Sequence, residues 1–162
     1  MSKTKLSPSL LKNPIHFLAL GFGSGLAPKA PGTFGTLMAI PLYLLLQPLS
    51  LQNYVFAVIL VSIVGIYICD KSASLMGEHD HPGIVWDEFA GYLITMIAVP
   101  FEWVWVLLGF GLFRLFDILK PQPIGWLDKH VKGGFGIMID DILAGIMAAV
   151  CLHAIIWVTQ YL

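Results

Sequence analysis

The sequence predicts an all-α fold, a compact helical membrane domain of about five apolar helices with a polar, Gly-rich site on one face. Three observations carry that expectation. Hydrophobic residues make up 57% of the 162 residues and charged residues only 12%, about half the charged share of a soluble domain. The mean hydropathy is +0.82. The apolar stretches are dominated by Leu, Ile, Ala, Val and Met, without the polar–apolar alternation of a half-buried strand. The length suits one domain, residues 1–162, and no linker or compositional break divides it.

The elements follow in chain order. Residues 1–14 form a polar lead-in with Lys3, Lys5 and Lys12, and lack the apolar core and cleavage site of a secretory signal. Ile15 to Leu20 is a short helical piece. Residues 21–35, GFGSGLAPKAPGTFG, hold five glycines and two prolines, too many for a regular element, so they read as a loop before a helix starting at Thr36. Five apolar segments come next: Leu37–Leu46, Tyr54–Cys69, Phe89–Val99, Trp103–Phe113 and Ile142–Thr159. Four fall short of the roughly 20 residues of a spanning helix, which suits tilted or partial spans that extend into polar flanks. Cys69 and Cys151 lie inside apolar runs and read as buried thiols.

If the segments cross alternately, the chain up to Thr36 and the stretches 70–88 and 114–141 share one face. All nine Lys and Arg residues fall on it, with every acid except Glu102. The positive-inside rule makes that face cytoplasmic, and Trp103, Trp105, Trp157 and Tyr161 mark the opposite interface. The net charge is −1 and no basic run is interleaved with aromatics, so nucleic acid is not an expected partner.

Three polar stretches on that face carry the chemistry. In the Gly-rich loop, Lys29 and Thr33 with amides near Gly32 and Gly35 suit phosphate oxygens; the loop has no Walker A lysine. In GEHDHPGIVWDEFAG, Asp87 and Glu88 open an apolar helix, and Asp140 and Asp141 stand in the same way at the head of the last one. The spacing D-x-x-A-G recurs at Asp87-Ala90-Gly91 and Asp141-Ala144-Gly145. Small residues one turn from each acid let the two helices approach closely. Helix capping accounts for one acid per helix, not for two doublets in so charge-poor a chain. His79, Asp80 and His81 read as a polar turn. In the third stretch Arg114, Asp117 and Lys120 recur every three residues on one helix side before Pro121 ends the helix. Asp128, Lys129 and Lys132 read as solvated interface charges. Oxygen ligands without thiolates favour Mg²⁺ over zinc, with Asp87, Glu88, Asp117, Asp140 and Asp141 as the ligand candidates. Mg²⁺ with Arg and Lys clamps suits phosphoryl transfer, and the membrane setting points to a lipid phosphate.

GFGSGLAPKAPGTFGT, IVWDEFAG, FRLFDILKPQPI and GGFGIMIDDILAG, in that order, resemble the phosphatidylglycerophosphatase A family over about residues 13–145. The resemblance implies a Mg²⁺-dependent, multi-pass phosphatase of the bacterial inner membrane with its site facing the cytoplasm. Its substrate would be a membrane phospholipid, phosphatidylglycerophosphate, cleaved to phosphatidylglycerol and phosphate. Asp87, Asp117 and Asp141 are then the expected catalytic acids. Lys29, Gly32, Thr33, Gly35, Arg114 and Lys120 are the expected phosphate contacts. The alternative is a transporter or scaffold whose acids line an ion path.

Overall fold

The computed structural model describes residues 6–78 and 81–160. Lys3, Lys5, His79, Asp80 and Tyr161 lie outside the described residues. Helices account for most of the described residues, which contain no strand. Two 3₁₀ turns, Pro8–Lys12 and Gly21–Leu26, flank α1 (Pro14–Ala19). Then come α2 (Pro31–Leu46), α3 (Leu51–Met76), α4 (Trp86–Thr95), α5 (Trp103–Leu119), α6 (Ile124–His130) and α7 (Gly133–Gln160).

The caps explain several boundaries. Pro14 and Pro31 occupy first-turn positions, where a missing N–H costs nothing. Asn13 Oδ1 accepts from the Ile15 amide at 2.9 Å. Ser50 caps α3, which ends on Gly77 in the left-handed region (φ 70°). Lys120 closes α5 in the same region (φ 43°) just before Pro121.

Two expectations change. The Gly-rich stretch is not irregular throughout: Pro31 starts α2, so Gly32, Thr33 and Gly35 lie in its first turns. A fixed proline φ outweighs the glycine cost there. Asp140 and Asp141 do not stand at the mouth of a helix either. Helix α7 begins at Gly133, so both acids sit two turns inside it and cannot act as caps. Its first turn is capped from another helix, by Asp70 Oδ1 accepting from the Gly134 amide at 2.8 Å.

Four of the five expected apolar stretches fall in helices and the fifth, Phe89–Val99, runs past the end of α4 at Thr95; among the described residues only α3 and α7 are long and apolar enough to cross a membrane. With 26 and 28 residues they reach about 40 Å at 1.5 Å per residue, against a hydrocarbon core of about 30 Å. Helix α4, with 10 residues, is about 15 Å long and too short to cross. It is instead the centre of the bundle. Phe89, Ala90, Gly91, Tyr92 and Leu93 are all buried, and α2, α3, α5 and α7 surround them. A helix apolar on every side is stable only when enclosed in this way. The outer helices turn large apolar side chains outward, among them Phe56, Ile63, Leu107, Ile118 and Val150. Of the two cysteines, Cys69 is buried and Cys151 half-buried, both as free thiols.

The D-x-x-A-G pattern does what its spacing predicts. Gly91 and Gly145 meet where α4 crosses α7, and Ala90 and Ala144 are fully buried beside them. A Cβ on Gly145 would run into the Gly91 carbonyl, and one on Gly91 would lie 2.7 Å from the Asp141 carbonyl. The Thr95 hydroxyl lies 3.0 Å from the Gly91 carbonyl and 3.3 Å from that of Gly145. Gly145→Ala should therefore destabilise the fold by about 1–3 kcal/mol through backbone overlap. Gly111→Ala, where an added Cβ meets nothing within 4 Å, should cost nothing or stabilise by up to about 1 kcal/mol. Unfolding midpoints of the two variants in detergent separate these outcomes.

Candidate active site

The ends of five helices gather around one cavity of about 360 Å³. The start of α2 contributes Ala30, Pro31 and Gly32, and the start of α4 Asp87 and Glu88. The last two turns of α5 give Arg114 and Asp117, with Lys120 following. From α6 and the segment after it come Asp128, Lys129 and Lys132. Asp140 and Asp141 project from α7. Six acids thus face four bases, an excess of two acids. The three polar stretches do converge on one end of the bundle. The opposite end holds a second cavity of about 400 Å³ with no charged side chain among the described residues of its wall, bounded by Tyr43, Gln47, Tyr54 and Gln160 among others. Exposed Trp103 and Trp157 lie at that far end, and Trp105 is half-buried.

Two cations organise the acids. Arg114 Nη1 donates to Glu88 Oε2 and, at 2.6 Å, to Asp117 Oδ2, so one guanidinium joins α4 to α5. The Thr36 hydroxyl lies 2.9 Å from the same Glu88 oxygen. Lys120 Nζ donates to Asp128 Oδ1 at 2.6 Å and to Asp140 Oδ2, and so joins the end of α5 to α6 and α7. The left-handed backbone of Lys120 turns its side chain back over the cavity. Non-glycine residues hold that conformation only where their surroundings impose it. Gly32 makes room for the Arg114–Glu88 pair, since a Cβ there would overlap Glu88 Oε1 and lie 3.0 Å from Arg114 Nη1.

Burial, reinforced by nearby Asp117, pushes Glu88 up to about 7 against the pull of Arg114 and Thr36. Burial alone would lower Lys120, but its bonds to Asp128 and Asp140 outweigh that and hold it above the ordinary lysine value. Asp140 and Asp141 are both buried, and Asp141 is only 3% exposed. Asp140 Oδ1 and Asp141 Oδ2 have no hydrogen-bond partner among the described residues. A buried carboxylate oxygen in that state is costly. Among the described residues no three His, Cys, Asp or Glu side chains form a ready-made metal cage.

Of the residues expected from sequence, Asp87, Glu88, Arg114, Asp117, Lys120, Asp140, Asp141 and Gly32 line this cavity. Lys29, Thr33 and Gly35 are not in its wall. Lys29 is exposed, and Gly35 is buried where a Cβ would press on the Val85 side chain, which makes it a packing residue. His81 accepts from the Gly83 amide at 3.0 Å, as a turn residue would. Thr36 is a buried member of the site that motif reading passed over. Asp128, Lys129 and Lys132, read above as solvated charges, are exposed as that reading expects, and they also line the cavity. Their only signal was the chain reversal at Lys120-Pro121, which returns residues 128–132 to the cavity.

This geometry is joined by a match along the sequence. Residues 17–156 match the sequence profile of the phosphatidylglycerophosphatase A family. The chain belongs to the phosphatidylglycerophosphatase A family. It is 50% identical over 156 residues to the phosphatidylglycerophosphatase A of Escherichia coli, covering 96% of this chain and 89% of that protein. It is also 50% identical over 147 residues to the phosphatidylglycerophosphatase A of Haemophilus influenzae, covering 90% of each. No solved structure matches. The family expected from four motifs is the family found, and all four motifs contribute residues to the cavity wall.

Arg114→Met removes the cation shared by Glu88 and Asp117 and should destabilise by about 3–5 kcal/mol, the cost of uncompensated buried charge. Adding Glu88→Gln should recover part of that loss. A double-mutant cycle on unfolding free energy checks this: additive effects would mean that the two side chains do not act on each other.

Proposed function

We propose that this member of the phosphatidylglycerophosphatase A family hydrolyses the terminal phosphate monoester of phosphatidylglycerophosphate, giving phosphatidylglycerol and inorganic phosphate, with Mg²⁺ as its metal. The observation that carries the reading is the cavity itself. It has two buried carboxylates with oxygens that no described residue partners, and two more acids than bases in its wall. Oxygen-only donors of this kind suit Mg²⁺. Asp87, Glu88, Asp117, Asp140 and Asp141 would hold it. When bound, it supplies positive charge against the phosphoryl oxygens as the ester bond breaks.

The chain's own residues do the rest. Arg114 and Lys120 neutralise the remaining phosphoryl charge, Arg114 as a planar fork and Lys120 as a point charge. The start of α2, with Gly32 in the wall, presents the positive end of a helix to the anion. Asp87, Asp117 and Asp141 form the catalytic set. Asp141, with one oxygen that no described residue partners, is assigned as the acceptor of the proton of the attacking water. Water oxygen bonds to phosphorus, the bond from phosphorus to the glycerol oxygen breaks, and that oxygen takes a proton from solvent at the cavity mouth. Direct water attack is favoured over an aspartyl-phosphate because the chain lacks the DxDx[TV] signature.

The two long apolar helices and the outward apolar side chains support a membrane location. The assignment by sequence of all nine Lys and Arg to the site-bearing face supports a site on the cytoplasmic side, in the bacterial inner membrane on this reading. The ion-path alternative finds less support, since the described residues in the wall of the far-end cavity carry no charge.

Asp141→Asn and Asp87→Asn, each in purified folded protein with Mg²⁺, should lower phosphate release from phosphatidylglycerophosphate at least about 100-fold. Chelation should abolish the activity and Mg²⁺ restore it. Near-normal release by both variants, or full activity after chelation, would sink the carboxylate–metal reading.

A further inference from the structure

The four cations of the cavity fall into two pairs. Arg114 and Lys120 are inside and committed, each bonded to two carboxylates. Lys129 and Lys132 are exposed at the rim, line the same cavity, and make no hydrogen bond or ion pair with the described residues. Yet the backbone that carries them is fixed. Lys120 ties Asp128, the neighbour of Lys129, to Asp140 in the cavity wall. On the other side, the bare face of Gly136 lies against the Val131 carbonyl, where a Cβ would collide. That contact clamps the residue before Lys132 onto α7. Two uncommitted ammonium groups therefore stand on an anchored ridge above six carboxylates. Trp126 and Phe135, 52% and 50% exposed, flank them, and an aromatic ring beside a cation is the usual meeting of protein with the headgroup level of a bilayer.

We propose that Lys129 and Lys132 form a second anion subsite that holds the phosphodiester of the lipid substrate while the inner cations hold the phosphate monoester to be cleaved. The inference rests on the phosphatase reading above. A substrate with two phosphates brings a second negative charge to a mouth lined by acids. The inner cations are already shared among Glu88, Asp117, Asp128 and Asp140, so the rim pair is the counter-charge left for it. A diester carries a single negative charge, which the point charge of a lysine on a flexible stem matches without a planar fork. The subsite would thus distinguish a lipid bearing a diester and a monoester from one bearing a monoester alone.

The test uses the full-length enzyme in mixed micelles, as wild type, Lys129→Gln/Lys132→Gln and Lys129→Arg/Lys132→Arg. The glutamine pair should lower kcat/KM on phosphatidylglycerophosphate by about tenfold, with the loss in KM, and the arginine pair should restore it. Two inhibitors separate the subsites. Glycerophosphoglycerol carries only the diester, and its inhibition should weaken at least about fivefold in the glutamine pair. Inorganic phosphate carries no diester, and its inhibition should stay within about twofold. An unchanged KM, equal weakening of both inhibitors, or no inhibition of the wild type by glycerophosphoglycerol would overturn the subsite. A wild type that releases no phosphate from phosphatidylglycerophosphate would overturn the phosphatase reading, and the subsite with it.

Discussion

The constraint on which this structure depends is the compensation of carboxylates at one end of an apolar bundle. Asp140 and Asp141 lie two turns inside the longest helix, and Glu88 in the first turn of the most enclosed one. Separated from water, such groups are tolerable only with counter-charge and hydrogen bonds in place. Arg114 and Lys120 provide part of that counter-charge, and each bridges elements distant in sequence. The α5 end, the α4 start and the α6–α7 turn are therefore fixed relative to each other by charge as well as by packing. The compensation is incomplete, because Asp140 Oδ1 and Asp141 Oδ2 keep no partner among the described residues. A bundle that only needed stability would bury Asn, Ser or apolar side chains at these positions. Retaining acids at a net deficit of positive charge makes sense when a cation and an anionic substrate complete the site.

Small residues make that electrostatic arrangement possible. The close approach of α4 and α7 at Gly91 and Gly145 sets the separation of the two acid doublets one turn earlier on each helix. Larger residues would spread the helices and with them the acids. The same logic operates at Gly32, where a missing side chain lets a backbone turn approach the Arg114–Glu88 pair. The glycines of this chain thus belong mainly to close packing, and only in part to the turns that composition suggests.

The parts legible in the sequence are those that rest on periodicity and composition. Helical content, convergence of three polar stretches, and α4–α7 contact through D-x-x-A-G all follow from spacing on a regular element. What was not legible depends on where helices begin and on chain reversals. Residues 31–35 look like a loop because glycine density hides the starting signal of Pro31. Asp140 looks like a cap because nothing in GGFGIMIDD marks Gly133 as already helical. Asp128, Lys129 and Lys132 look like plain surface charges because the turn at Lys120, which brings them over the cavity, is a left-handed conformation at a residue type that gives no sign of it. Four of the five apolar stretches read as tilted or partial spans, and composition alone does not single out α4, whose short apolar run serves burial inside the bundle and not contact with lipid.

The two cation pairs also account for the position of the site at the end of the bundle. Acyl chains are held by the bilayer, so an enzyme acting on a lipid phosphate gains little from enclosing them and must bring its charges to the headgroup level. Inner cations placed deeper would demand that phosphate enter hydrocarbon, with a desolvation cost that their attraction would not recover. Cations on the rim alone would leave the reacting phosphoryl group in water, where each charge contributes least. A recessed pair bonded to carboxylates, beneath an uncommitted pair on the rim, divides these demands. On the proposed reading, the rim would attract and orient the anionic headgroup, and the recess would provide the low-dielectric setting in which fixed charges most strongly favour the transition state.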